Sequence, residues 1–343
     1  CRSFRGRDSS PTTAIEAVLQ KSQLRFFCFF SNQRLEVGEI MLKPEQKIAE
    51  LKQAKKAVVL AHFYQSKEIQ ANADFVGDSL EMAKKARDLE ADVLVICGVS
   101  FMAETVKMLC PNKKVLLPRP EAGCFLADCA TLEKVILLKE KYPQAAFVCY
   151  VNSSAEVKAL SDICCTSANA VSIVKGLKEK QVVMLPDGNL ALWVQSQVLQ
   201  KEIIGFNGYC DCHNNITKED VLKAKDKHSV AVVVAHPEVR QEVAQMADFV
   251  GSTAKIVNFI GESSAKEFII VTEEGILNQL QLKYPGKSFY LVSPSLVCTS
   301  MKMITLNDLY VALLKEQYEV EINADLSRKA QIPLKRMLED HLV

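Results

Sequence analysis

Three stretches of the chain follow one template. VVLAHFYQSKEIQANADFVGDS begins at Val58, FVCYVNSSAEVKALSDICCTS at Phe147 and VVVAHPEVRQEVAQMADFVGST at Val232. Fixed-period similarity of this kind constrains a fold more than any local signal, because each copy must form the same unit. Every copy opens on a β-branched or aromatic run, which predicts a buried parallel strand. At the end of that strand stand His62, Tyr150 and His236, spaced 88 and 86 residues apart. Tyr64, Asn152 and Glu238 follow two residues later. An aspartate recurs in phase (Asp74, Asp162, Asp248), and then a hydroxyl (Ser79, Ser167, Thr253).

The second half of each unit repeats too. DVLVIC, QVVML and EFIIV read as strands, as do KVLLP, EIIGF and SFYLV. After them come Cys124, Cys210 and Cys298, and seven residues beyond each cysteine Thr131, Thr217 and Thr305. Each threonine precedes an amphipathic run and is the expected helix N-cap, TKED offering a capping box as well. The chain is therefore read as an α/β protein of three pseudo-symmetric βαβ-type units, near 55–143, 144–229 and 230–317, with a tail 318–343. In parallel α/β sheets the carboxyl ends of the strands carry the binding groups. Hydroxyls at helix starts suit anions. Three such edges turned to one axis make one central pocket.

Composition agrees and excludes alternatives. The 343 residues are 49% hydrophobic and 24% charged, with net charge +1. That is a globular composition, not a disordered one. The charge balance gives no pull toward nucleic acid, and no apolar run approaches the ~20 residues of a membrane helix. Residues 1–40 lack the repeat and precede Met41, the first methionine. They are set aside as a non-matching extension that the catalytic region 41–343 is expected not to need.

Twelve cysteines in a long Lys/Glu-rich chain favour reduced thiols or metal ligation over a disulfide frame. Cys97 and Cys149 lie in apolar runs, where cysteine is a small buried hydrophobe. Only Cys124, Cys210 and Cys298 recur once per unit. Three converging thiolates suggest a metal centre. Structural zinc usually takes four ligands, whereas iron–sulfur clusters favour thiolates. Glu238 is the only carboxylate in its phase set, which makes it the candidate general base, with Tyr64 as a proton relay or positioning group.

The ordered motifs AHFYQ, GDSLEMA, CGVSFMAET, AGC, YVN, SDICCTSANA, PDGNLA, GYCDCH, AHPE, ADFVGST and SLVCTSMKMITL resemble the quinolinate synthase family, iron–sulfur enzymes of de novo NAD biosynthesis. The resemblance runs from about Met41 to the C-terminal region. It implies three αβα domains around one [4Fe–4S] cluster per chain, held by Cys124, Cys210 and Cys298, with an open iron as Lewis acid. It implies a cytoplasmic transferase that condenses iminoaspartate with dihydroxyacetone phosphate to quinolinate, phosphate and two waters. An iminoaspartate-producing enzyme would be a partner; nucleic acid and membrane would not. His62, Ser79, Tyr150, Asn152, Ser167, His236, Glu238 and Thr253 become the substrate-binding set. Tyr64 and His213 join Glu238 as catalytic candidates. Where some members carry Cys-x-x-Cys at the last cysteine, position 301 here is Met. Two other readings remain open: a radical S-adenosylmethionine enzyme of the diphthamide-forming type, and a non-catalytic zinc-binding module.

Overall fold

The structure, a computed structural model, describes residues 43–339. The extension 1–40 lies outside the described residues. Residues 48–339 form one compact unit. Within it the strands form three four-stranded sheets, all parallel. The first holds β1 (Ala57–His62), β2 (Phe75–Gly77), β3 (Val93–Cys97) and β4 (Lys114–Leu116). The second holds β5 (Ala146–Tyr150), β6 (Ile163–Cys165), β7 (Gln181–Leu185) and β8 (Glu202–Gly205). The third holds β9 (Val232–Ala235), β10 (Phe249–Val250), β11 (Glu267–Val271) and β12 (Ser288–Leu291). Each sheet has its first strand second from one edge, in the orders β2-β1-β3-β4, β6-β5-β7-β8 and β10-β9-β11-β12. All six expected second-half strands are present.

The first strands are buried on both faces, which is why they read as unbroken apolar runs. Cys97 and Cys149 are buried in the strands β3 and β5. The phase-matched aspartates have a structural job. Asp74, Asp162 and Asp248 each accept, at 2.7–2.8 Å, the backbone N–H of a residue in the first strand (Val59, Phe147, Val233). Each also donates its own N–H to that residue's carbonyl, at 2.8–2.9 Å. One aspartate thus makes two bonds to the central strand just before the edge strand begins, fixing its register. The threonines cap as expected. Thr131, Thr217 and Thr305 precede helices Leu132–Lys141, Lys218–Lys227 and Leu306–Lys315, the last two with full capping boxes.

The tail closes on the first sheet and then on the second. Leu117 donates to the Tyr318 carbonyl at 3.1 Å and Val320 to that of Val115 at 2.8 Å, an antiparallel pairing on the free edge of β4. Glu316 joins Lys55 and Lys114 there. Helix Ala324–Met337 then buries Ala330, Leu334 and Met337 against helix Ala155–Ala159 and β6. No helix among the described residues is long and apolar enough to cross a membrane.

Replacing Asp162 by Ala removes an acceptor and leaves the Phe147 N–H unpaired. Denaturant unfolding is expected to show a loss of about 1–2 kcal/mol, with Asp162→Asn, which keeps an oxygen, losing less. Equal losses in the two variants would mean that the carboxyl oxygen is not what sets the strand.

Candidate active site

In sheets of this order the chain leaves the first strand in opposite directions, and a crevice opens between the carboxyl ends of the two central strands. His62 and Tyr150 end β1 and β5. His236 directly follows β9, and its N–H still donates to the Val271 carbonyl at 3.1 Å. These three line one cavity together with Tyr64, Asn152 and Glu238 from the next phase position. The hydroxyl residues Ser79, Ser167 and Thr253, the cysteines Cys124, Cys210 and Cys298, and His213 line the same cavity. The candidate substrate-binding, catalytic and ligand residues thus all line this one cavity.

Glu238 sits at its centre, 3% exposed. Its Oε1 accepts the Tyr150 hydroxyl at 2.7 Å. Its Oε2 lies 2.9 Å from His213 Nδ1 and 3.5 Å from His236 Nδ1. The Asn189 amide donates to the Glu238 carbonyl at 3.0 Å. Burial pushes the Glu238 carboxyl up, but the two imidazoles and the Tyr150 hydroxyl prevail and hold it at about 2. Burial drives His62 and His236 down to about 3, so both rings are neutral near pH 7. Burial raises Tyr64 and Tyr150 well above the ordinary phenol range, keeping both hydroxyls protonated. The cavity thus places the Glu238 carboxylate among protonated phenols and the neutral rings of His62 and His236, with Asp78 and Asp211 also in its lining. The Asn152 side-chain oxygen is buried there with no protein partner. Such an oxygen is a ready acceptor for a ligand.

Each of the three cysteines is the N-cap of a short helix: Phe125–Cys129, Asp211–Asn214 and Thr299–Lys302. None closes a side-chain cap bond, and Cys210 Sγ lies 3.3 Å from His213 Nδ1. Burial raises all three thiols above their ordinary range, while the amides of Ala127, His213 and Met301 favour the thiolate. In each case that amide belongs to the third residue on, so the repeat extends to the sulfur's own surroundings. Cys124 feels the charge of Cys298, and Cys210 that of Cys124, as thiols around one centre would. Cys210 Sγ, His213 Nδ1 and Glu238 also lie within 4.8 Å of one another. Cys212 lines the cavity without counterparts in the other units.

One expectation needs correcting. Ser79 and Thr253 do begin helices, Ser79–Asp88 and Thr253–Glu262. Ser167 does not. Asn169 Oδ1 accepts from Thr166 N–H (2.7 Å), a local turn that delays the helix to Ala170–Gly176. The Ser167 hydroxyl instead meets His236 Nε2 at 3.1 Å. Two residues passed over in the sequence also matter. Thr272 bridges His213 and Tyr64, and buried Glu273 accepts the Cys298 N–H at 3.1 Å and Lys302 Nζ at 2.9 Å. They follow β11: Thr272 stands where the other units carry Gly98 and Pro186, and Glu273 where they carry Val99 and Asp187, so only the buried acidic residue repeats, in two of the three units.

The family model described as NadA: Quinolinate synthetase A protein matches residues 46–339. A quinolinate synthase of Clostridium perfringens (strain SM101 / Type A) is 50% identical over 291 residues, 85% of this chain and 97% of that protein. One from Caldicellulosiruptor saccharolyticus is 50% identical over 297 residues, 87% and 98% of the two chains. One from Thermodesulfovibrio yellowstonii is 47% identical over 293 residues, 85% and 97%.

The neutral histidines imply an acid sensitivity. In the unfolded chain His62 and His236 take up protons below their ordinary value of 6.5, but in the fold only near 3. Between these values the unfolded state binds more protons, so stability falls as pH falls. The expected slope is up to about 1.4 kcal/mol per pH unit for each histidine. Urea unfolding measured downward from neutral pH is expected to show it, and His236→Gln to flatten it. A slope unchanged by that substitution would remove His236 as a source.

Proposed function

The chain belongs to the quinolinate synthase family, and from that premise we propose that it condenses iminoaspartate with dihydroxyacetone phosphate to quinolinate, phosphate and two waters. The convergence of the phase-matched residues on one cavity is the observation that supports this most. The reaction joins a three-carbon unit to an amino-acid-derived imine, which is transferase chemistry. We place it in the cytoplasm, beside an enzyme that makes iminoaspartate. The units 55–143, 144–229 and 230–317 would each supply one wall of the pocket, within a catalytic region 41–343.

The donor set fits an iron–sulfur cluster. Three cysteines in one phase, one from each unit, line one cavity. Cys124, Cys210 and Cys298 would hold a [4Fe–4S] group, releasing protons as they bind it. When bound, such a group supplies an iron without a protein ligand that serves as a Lewis acid toward substrate oxygen. The protein's own part is to bind, orient and move protons. Ser79, Ser167 and Thr253, with neutral His62 and His236, hold the anionic carboxylates and phosphate. Asn152 offers its unpaired oxygen to a substrate N–H or O–H. Glu238, ionised and next to His213, accepts the proton that must leave a carbon or nitrogen during ring formation. Tyr64, linked to His213 through Thr272, is the second proton-handling group.

The S, N and O donors of Cys210, His213 and Glu238 also resemble a zinc site. Zinc there would compete with the contacts that His213 Nδ1 already makes to Glu238 and Cys210.

One experiment separates these readings. Protein purified without oxygen is analysed for iron, sulfide and zinc, and quinolinate is assayed from dihydroxyacetone phosphate and freshly generated iminoaspartate. Iron with sulfide, lost in Cys124→Ala, Cys210→Ala or Cys298→Ala but kept in Cys97→Ala and Cys212→Ala, is expected. Cluster-loaded Glu238→Gln is expected to bind substrate but turn over ~10²–10⁴-fold more slowly. Ser167→Ala is expected to raise KM instead. Zinc alone, or no quinolinate from the loaded wild type, would sink the proposal. Normal turnover by Glu238→Gln would leave that residue a binding group only.

A further inference from the structure

Thr272, the first residue after β11, does not line the cavity, yet its hydroxyl joins two side chains that do. Its Oγ1 lies 2.7 Å from the Tyr64 hydroxyl and 2.9 Å from His213 Nε2, and the residue is 0% exposed. The Thr253 hydroxyl donates to the Tyr64 oxygen at 3.0 Å. The other ring nitrogen of His213, Nδ1, lies 2.9 Å from Glu238 Oε2 and 3.3 Å from Cys210 Sγ. An unbroken run of hydrogen-bond contacts thus joins Thr253, Tyr64, Thr272, His213 and Glu238, with Thr272 as the link between the phenol and the imidazole.

We propose that Thr272 is a positioning residue for the condensation: it fixes where the Tyr64 hydroxyl stands and squares the His213 ring to Glu238. This rests on the reaction proposed above and deepens it. The main chain of Tyr64 is held independently. Lys302 Nζ donates to its carbonyl at 2.8 Å and is itself paired with Glu273. Gly275 lies so close that a Cβ there would stand 2.8 Å from Tyr64 backbone atoms. The hydroxyl of Thr272 therefore governs where the Tyr64 hydroxyl stands, not the position of its backbone.

Thr272→Val keeps the size and removes the hydroxyl; Thr272→Ser keeps the hydroxyl. In the cluster-loaded enzyme Thr272→Val is expected to lower kcat by roughly 10²-fold, more than it raises KM, with Thr272→Ser restoring most of the loss. On a Tyr64→Phe background Thr272→Val is expected to add little, because the two act as one unit. A crystal structure of Thr272→Val is expected to show the Tyr64 hydroxyl and the His213 ring displaced, with Thr272→Ala the second variant should the valine chain not fold. Wild-type kcat in Thr272→Val, a fully additive loss on Tyr64→Phe, or undisplaced side chains would each overturn the inference. Displaced side chains in a protein whose wild type makes no quinolinate would uphold the positioning and refute the reaction.

Discussion

Taking a carboxylate out of water costs several kcal/mol unless donors replace the lost solvent. For Glu238 the donors come from elsewhere in the chain: Tyr150 at the end of β5, and His213 in the helix that Cys210 begins. The charge survives in the interior only while the second and third sheets stay placed to within a hydrogen bond's tolerance. Much else in the pocket depends on that. His213 is oriented by Glu238 on one nitrogen and passes the constraint to Thr272 and Tyr64 on the other. Through Tyr64 the first sheet is drawn into the same arrangement.

The repeat supplies the frame, and departures from it supply the chemistry. Three equivalent strand ends carry His, Tyr and His; the positions two residues on carry Tyr, Asn and Glu. One backbone plan thus presents two neutral imidazoles, two protonated phenols, an unpaired amide oxygen and one anion around a common space. The cysteines show the opposite tendency. They keep residue type, cap position and neighbouring amide in all three units. A shared ligand set needs sameness, and two different substrates need difference.

What could be read from the sequence follows this division. Strands, their order of appearance, the threonine caps and the pocket residues were legible because each occurs three times in phase. The aspartates were visible as a pattern, but their meaning required the strand pairing that brings Asp162 to Phe147. Thr272 has no hydroxyl counterpart, so periodicity is silent about it, whereas Glu273 shares its phase with Asp187, a signal that only two of the three units carry. Ser167 shares the phase of Ser79 and Thr253, yet Asn169 redirects the local backbone, a competition that no spacing rule records. The burial of Glu238 was also hidden, since a glutamate two residues past a strand ordinarily faces solvent.

The strap formed by residues 318–320 has a consequence for synthesis. The edge of β4 has no partner until the strap is made, some two hundred residues later in the chain. At ribosomal rates that interval is roughly 10–40 s, during which a nascent first sheet shows an open edge to its neighbours on the polysome. Lys113 and Lys114 stand at the head of that edge, and the partner of Lys114, Glu316, arrives just ahead of the strap. A lysine waiting without its counter-ion is the kind of charge that discourages another emerging chain from adding a strand there.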